Sequence, residues 1–141
     1  MVRWLVLLLM LLPHTGGTLP PIEELKWKEI EHGLASWYGG HYIGRRTASG
    51  SVYTGRDSTV AHRQLPFGTL IRLVRRGVGG RYSTGVVAIV TDRGPYCEYV
   101  GSYFYSCRQR RIVDVSERVA EELGFKKRGV AYVSLEILDL D

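Results

Sequence analysis

The chain is poor in the residues that staple or span. Two cysteines in 141 residues, with His41 and His62 at no ligand spacing from them, make a poor zinc site, and neither a metal nor a cofactor is expected. No apolar run comes near the ~20 residues that cross a bilayer as a helix. Charge is sparing too: 23% of residues are charged, and the formal net charge is +5. That balance suits an anionic partner, and solubility alone explains it equally well. Long periodic segments are scarce, while seventeen glycines point to short strands and many turns. With 45% hydrophobic residues the chain is globular rather than disordered, and its length leaves room for one domain.

What is present begins at the N-terminus. Arg3 precedes nine apolar residues, Trp4 to Leu12, then Pro13 and the small-residue stretch Thr15-Gly16-Gly17. Such a run matches the h-region of a secretory signal. Residues 1–17 are therefore read as a signal peptide, with an uncleaved N-terminal anchor as the alternative. No cysteine stands near that site, so a lipid-modified N-terminus is not expected. The protein is then exported, to the periplasm or cell envelope, and nucleic acid is not an expected partner. In an oxidising compartment Cys97 and Cys107 most simply pair with each other. That disulfide would close a loop of about 11 residues and contribute roughly 2–3 kcal/mol in the chain-entropy model.

Residues 18–32 read as a linker leading into a short helix. Pro21 suits its first turn, Glu23 and Glu24 the positive end of its dipole, and Gly33 its stop. The apolar positions there (Ile22, Leu25, Ile30) are sparse, which predicts weak packing or none. The domain proper is expected over 33–141 and opens with a strand, Gly33 to Gly40. Gly44 to Ser51 is small and polar, so it is either disordered or a binding loop shaped by its backbone. From Thr69 to Val74 alternation puts Ile71 and Leu73 on one face and Arg72 on the other. Arg75 to Gly80 reads as a hairpin loop, and a strand around Val86–Val90 returns from it. Two aspartates each terminate an apolar strand: Asp92 after Val87-Ala88-Ile89-Val90, and Asp114 within Arg111 to Ser116. Ser116 can cap a short helix with Val119, Ala120 and Leu123 inward and Gly124 at its end. Val133, Leu135 and Ile137 alternate along a last strand. About six strands with non-local pairing fit a small closed barrel, which removes sheet edges that so short a chain could not cover.

Five of these stretches also occur together elsewhere. Gly33-Leu34-Ala35-Ser36-Trp37-Tyr38-Gly39, Thr47-Ala48-Ser49-Gly50, Ala61-His62-Arg63-Gln64-Leu65-Pro66-Phe67-Gly68-Thr69, Asp92-Arg93-Gly94-Pro95 and Arg111-Ile112-Val113-Asp114-Val115-Ser116 stand in the order and approximate spacing of the rare lipoprotein A family. Over roughly residues 33–138 the chain resembles these septal-ring lytic transglycosylases. The resemblance implies a mainly β fold, a six-stranded double-psi β-barrel with one or two short helices, similar to that of expansins and of membrane-bound lytic transglycosylase A. It implies cleavage of the β-1,4 bond between N-acetylmuramic acid and N-acetylglucosamine in peptidoglycan, leaving a 1,6-anhydro end. The implied partners are peptidoglycan glycan strands, with division or cell-wall proteins beside them, and a monomer is expected. By motif matching, His62, Asp92 and Asp114 fall on the family's active-site positions. Ser51, Tyr38, Arg93, Tyr96 and Tyr99 are the residues expected along the substrate. The chain departs from the family pattern in three places. Ser51 stands where relatives usually carry Glu, the segment between the aspartates is longer and holds Cys97 and Cys107, and neither a lipid-attachment cysteine nor a C-terminal glycan-binding repeat is found.

Breaking a glycosidic bond needs a general acid at the leaving oxygen. At pH 7 only about one free aspartic acid in a thousand is protonated, and a two-unit shift corresponds to about 2.7 kcal/mol. Burial at a strand end beside a second carboxylate is the arrangement that supplies such a shift. On this reading Asp114 is the acid and base, Asp92 tunes it, and His62 bonds the pair or positions the sugar; Glu98 is a substitute for the missing Glu. Ordinary readings stand beside these. Asp92 forms a turn before Gly94-Pro95, Asp114 precedes a helix cap, and His62 is a structural hydrogen-bonder. Tyr96, Tyr99, Tyr103, Phe104 and Tyr105 stack on sugars or cover the barrel end. Arg45-Arg46, Arg75-Arg76 and Arg110-Arg111 are solvated charges or contacts for acidic glycan groups. The alternative function is a non-catalytic, expansin-like wall-loosening module, which Ser51 favours.

Overall fold

The computed structural model describes residues 21, 24–96, 99–100, 103–104 and 111–140. Six strands close on themselves: β1 (Trp27–Trp37), β2 (Thr59–Ala61), β3 (Leu70–Arg75), β4 (Val86–Asp92), β7 (Arg111–Val115) and β8 (Val130–Leu138), in the order β1-β7-β2-β4-β3-β8. Two more, β5 (Tyr99–Val100) and β6 (Tyr103–Phe104), pair only with each other. β1–β7 and β2–β4 run parallel and the other pairs antiparallel. The fold is a mainly β, six-stranded double-psi barrel, as expected. Among the described residues the one α-helix is α1 (Glu117–Glu122), and short 3-10 turns lie at Gly40–Tyr42 and Val78–Gly80. None of the described helices is long and apolar enough to cross a membrane. Residues 1–17, read as a signal peptide, and both cysteines of the expected disulfide, Cys97 and Cys107, lie outside the described residues.

The alternation seen in the sequence is what fills the barrel. Ile71 and Leu73 from β3, Ala88 and Val90 from β4, Val113 and Val115 from β7, and Val133 and Leu135 from β8 are all buried. Each fully buried Val, Leu or Ile contributes about 1.5–3 kcal/mol. Helix α1 adds Val119, Ala120 and Leu123, and Phe125 follows it into the same core. Its start is set by Ser116, whose hydroxyl accepts from the Val119 N–H and donates to the Asp57 carbonyl at 2.7 Å. Its end is set by Gly124 at φ +73, a left-handed turn that favours glycine.

One expectation fails. The expected helix does not run to Gly33: β1 already begins at Trp27 and pairs with β8 from Trp27–Leu138 to Ser36–Val130. The register shifts between Glu29 and Glu31, and this bulge breaks the period-2 pattern by which the strand could have been recognised. Two charged residues of this strand have partners far along the chain. Glu31 reaches His62 at 3.1 Å, and Glu29 lies 4.0 Å from Arg76.

Two measurements check this account. Ser116→Ala removes a helix cap together with one of the two donors to the Asp57 carbonyl, the other being the Thr59 N–H, so urea unfolding should show a loss of about 1–2 kcal/mol. A chain beginning at Gly33 should melt well below one beginning at Lys26, because it lacks half of the longest strand pairing; equal melting temperatures would show that the first half of β1 is dispensable.

Candidate active site

β2 is three residues long, yet it borders two strands. Its last residue, Ala61, is the Cα partner of Asp92 on β4 and of Asp114 on β7. Residues paired across a sheet share a face, and adjacent strands lie about 4.8 Å apart. The two aspartates therefore flank Ala61 on one face, with Cα atoms about 10 Å apart by that spacing. Ser36 on β1 pairs with Asp114 from the other side. The result is a row of short side chains, Ser36, Asp114, Ala61 and Asp92, across four neighbouring strands. Above it opens a cleft of about 210 Å³, bordered by Tyr38, Tyr42, Arg45, Arg46, Tyr53, Arg93, Tyr96 and Arg111.

The two carboxylates have different partners. Asp92 Oδ1 accepts from the backbone N–H of Ala48 at 2.9 Å and of Arg93 at 2.8 Å, so it ties the loop after Gly44 to the end of β4. Ser49 N–H adds a bond to the Thr91 carbonyl at 3.1 Å. That loop is accordingly ordered, with its shape set by its backbone bonds. Asp114 Oδ1 accepts from the Ser36 hydroxyl, and Arg111 Nη1 donates to that same hydroxyl at 3.2 Å and lies 4.0 Å from Asp114. Asp114 Oδ2 is on the side of Gly94, where an added Cβ would stand 3.6 Å from it. Gly94 has φ +136, so this close approach is held by backbone that a side chain would strain.

The tyrosines form one wall. Tyr38 and Tyr53 rings lie 4.3 Å apart, and Tyr42 meets Tyr38 edge-on at 5.9 Å. Tyr53 Oη donates to the Tyr38 carbonyl at 2.9 Å and accepts from the Glu117 N–H at 3.2 Å, tying the wall to the start of α1. Burial pushes the Tyr38 phenol up, the Thr59 hydroxyl opposes this, and the charges of Asp92 and Asp114 add to it. The phenol therefore stays protonated beside the aspartates.

Of the residues expected at the site, Asp92, Asp114, Tyr38, Arg93 and Tyr96 border the cleft, and His62 and Ser51 do not. The side chain of Tyr99 and the whole of Glu98 lie outside the described residues. His62 is buried behind the cleft floor. Its Nδ1 accepts from the N–H groups of Gln64 at 3.1 Å and Leu65 at 3.0 Å, and Nε2 meets Glu31 at 3.1 Å. Two N–H donors on Nδ1 require a lone pair there, so Nε2 carries the proton and donates it to Glu31. Its main chain matters as much: its N–H donates to the Asp92 carbonyl at 3.1 Å, and its carbonyl accepts from Arg93 Nη1 at 3.2 Å. Arg93 also donates to the Leu65 carbonyl at 2.8 Å and lies 3.9 Å over the Phe67 ring, so it braces the turn after β2. Ser51 is exposed, and its hydroxyl bonds to those of Thr47 (2.8 Å) and Ser49 (3.0 Å).

The residues that sequence reasoning passed over are Ser36, Ala61, Tyr42 and Tyr53. Ser36 and Ala61 did leave a signal: small residues at the ends of apolar strands, beside the positions of the aspartates.

Comparison with known proteins places the chain in a family. A family model described as lytic transglycolase matches residues 30–135. The probable endolytic peptidoglycan transglycosylase RlpA of Synechocystis sp. is 37% identical over 111 residues, covering 79% of this chain and 30% of that one. The endolytic peptidoglycan transglycosylase RlpA of Rickettsia bellii is 36% identical over 111 residues, 77% of this chain and 42% of its own. The probable enzyme of that name from Aquifex aeolicus is 39% identical over 106 residues, 75% and 40% respectively. The chain thus spans less than half the length of these relatives. Among solved structures, the Streptomyces papain inhibitor aligns at a TM-score of 0.49 with 16% identity, covering 82% of this chain and 96% of that one. The family match runs unbroken from the middle of β1 to the middle of β8, through both aspartates, and the chain belongs to the lytic transglycolase family of double-psi β-barrels.

Proposed function

We propose that this domain is a peptidoglycan lytic transglycosylase, acting outside the cytoplasm on the β-1,4 bond between N-acetylmuramic acid and N-acetylglucosamine. The observation that carries the reading is the pairing of one small residue, Ala61, with both Asp92 and Asp114 at the floor of an open cleft. Family membership and the names of the relatives support the substrate.

The chemistry follows from the different partners of the two carboxylates. With Oδ1 held by Ser36, Asp114 presents Oδ2 as the proton-carrying oxygen. It donates its proton to the glycosidic O4 as the C1–O4 bond breaks, and positive charge develops at C1 and the ring oxygen. The 6-hydroxyl of the same muramic acid then attacks C1, and the Asp114 carboxylate takes up the hydroxyl proton. One new C1–O6 bond replaces C1–O4, no water is consumed, and the acid is restored. Asp92 shapes the cleft by fixing Ala48 and Arg93, and its negative charge favours the developing cation. Tyr38 and Tyr42 offer ring faces to the sugars, and Tyr96 is 61% exposed at the rim. His62 acts as a positioning residue, since its ring nitrogens are engaged away from the cleft. Export through residues 1–17, a disulfide between Cys97 and Cys107, and partners at the cell wall belong to the same proposal.

A second reading has one observation in its favour. Ser51, where relatives usually carry Glu, has no side-chain proton donor of useful acidity and is absorbed in a hydroxyl cluster with Thr47 and Ser49. A barrel that binds glycan without cleaving it would have this feature.

Incubating the protein with soluble glycan strands and assaying 1,6-anhydro ends by mass spectrometry separates the two. The enzyme reading expects new ends with the native protein and a loss of at least 100-fold in Asp114→Asn, the scale of general acid–base catalysis. Binding without new ends would establish the second reading. Ser36→Ala should lower kcat more than it changes KM, because it frees Asp114 Oδ1 without removing a sugar contact. For His62, nitrogen chemical shifts should show a neutral ring protonated on Nε2, and Glu31→Gln, which still accepts that proton, should keep most of the activity. A ring protonated on Nδ1, or titrating together with activity, would return His62 to a direct catalytic role.

A further inference from the structure

Three pairs of adjacent arginines look alike in the sequence, and the fold sorts them. Arg75 Nη1 donates to the carbonyls of Leu123 (3.1 Å) and Gly124 (2.7 Å), closing the end of α1. Arg76 lies on the outer face, 5.9 Å over the rings of Tyr82 and Tyr132. Arg111 is occupied by Ser36 beside Asp114. Arg45 and Arg46 differ from all of these: both border the cleft, both are exposed, and neither has a carboxylate partner among the described residues. Arg46 donates to the Gly50 carbonyl at 2.9 Å, and the Arg45 guanidinium stands 5.9 Å over the Tyr42 ring.

These two side chains are carried on a stiff support. Gly44 N–H bonds to the Tyr53 carbonyl at 2.8 Å, Tyr53 N–H to the Arg45 carbonyl at 2.9 Å, and Thr47 N–H to the Ser51 carbonyl at 2.7 Å. Arg46 and Val52 form a β-bridge, and Asp92 clasps the loop through Ala48. The backbone under the arginines is therefore set before any ligand arrives, which lowers the ordering cost of binding. Four arginines against two aspartates make the cleft border cationic. A guanidinium fork matches the two oxygens of a carboxylate.

We propose that Arg45 and Arg46 form an anion subsite at the cleft rim that grips a carboxylate of the glycan and so sets how the strand lies over Asp114. The inference rests on the peptidoglycan reading above and adds the group by which the strand is held. The Asp92 carboxylate repels an anion from the floor, so the acid group is directed to the rim while the neutral glycosidic oxygen lies over the protonated Asp114. Peptidoglycan has two sources of such a group. One is the lactyl carboxylate of muramic acid, free where no peptide is attached; the other is the carboxylates of the stem peptide.

The test measures binding and cleavage separately on the full chain. Dissociation constants are determined for peptide-free strands, for the same strands with their carboxyl groups reduced to alcohols, and for peptide-bearing strands. Native protein should bind reduced strands about tenfold more weakly, the scale of a charge-assisted contact. The double variant Arg45→Ala/Arg46→Ala should bind intact strands that weakly and no longer distinguish reduced from intact. Arg128→Ala, an exposed control, should behave as the native protein. Weaker binding of peptide-bearing strands identifies the lactyl carboxylate, and tighter binding identifies the peptide; either supports the subsite. Native protein indifferent to carboxyl reduction, or a double variant that still senses it, overturns the subsite even if anhydro ends form. Carboxylate-dependent binding with no anhydro ends supports the subsite and overturns the enzyme reading. No binding of any strand overturns both.

Discussion

The constraint on which the rest depends is the shortness of β2 between two long neighbours. Thr59–Ala61 has only three residues with which to join β4 to β7, and the barrel closes through them. Val60 is fully buried, and Ala61 is 4% exposed, so the strand contributes one side chain to the core and one to the cleft floor. The small size of Ala61 matters because both flanking residues are aspartates. A larger side chain there would fill the space over the cleft floor between the carboxylates. Closure of the fold and placement of the site are thus the same set of backbone hydrogen bonds.

The turn after β2 extends that constraint. His62 passes one main-chain bond to Asp92 and receives one from Arg93, while its ring takes two N–H groups of the next turn and reaches Glu31 on β1. Arg63 adds bonds to the carbonyls of Pro95 (2.6 Å) and Arg111 (2.7 Å). Charged side chains here do the work that core packing does elsewhere, bridging strands at the open end of the barrel where no apolar layer covers them. Hydrogen bonds to charged groups are worth about 1.5–3 kcal/mol each when they satisfy buried carbonyls, comparable to burying a valine. The site can therefore stay open to solvent without loosening.

Much of this was legible in the sequence and some was not, for identifiable reasons. β3, the β3–β4 hairpin, β7, β8 and α1 with its Ser116 cap show clean periodicity or end signals, because each has one face on the core and one toward solvent. The two strand-end aspartates were visible for the same reason. The first half of β1 was hidden: its bulge at Glu29–Glu31 breaks the alternation, and its charged residues are balanced by groups far along the chain. His62 was identified as important but given the wrong neighbours, since its partner Glu31 is 31 positions away and was assigned to a helix. Ser36 was missed because its one signal, a small residue at the end of an apolar strand, does not say that it pairs with Asp114, 78 positions away. The arginine pairs show the limit most simply: Arg75 closes a helix end while its neighbour Arg76 lies on the outer face, and Arg45 and Arg46 both reach the cleft rim, a sorting that topology alone decides.

The loop that carries Ser51 shows how a changed residue can leave a site intact. Thr47, Ser49 and Ser51 form a closed triangle of hydroxyls in which each can donate once and accept once. The triangle needs no carboxylate to hold its shape, and the loop is linked to the barrel through the Asp92 carboxylate and the Thr91 carbonyl, not through the side chain of residue 51. This separates the two aspartates. Loss of the Asp92 carboxylate would release Ala48 and with it the hairpin that carries Arg45 and Arg46, so its effect on any reaction mixes geometry with charge. Asp114 is held differently: its Oδ1 rests on the Ser36 hydroxyl and its Oδ2 lies beside Gly94. The two carboxylates thus enter the site by different routes, Asp92 through the backbone of its loop and Asp114 through a side chain of the neighbouring strand.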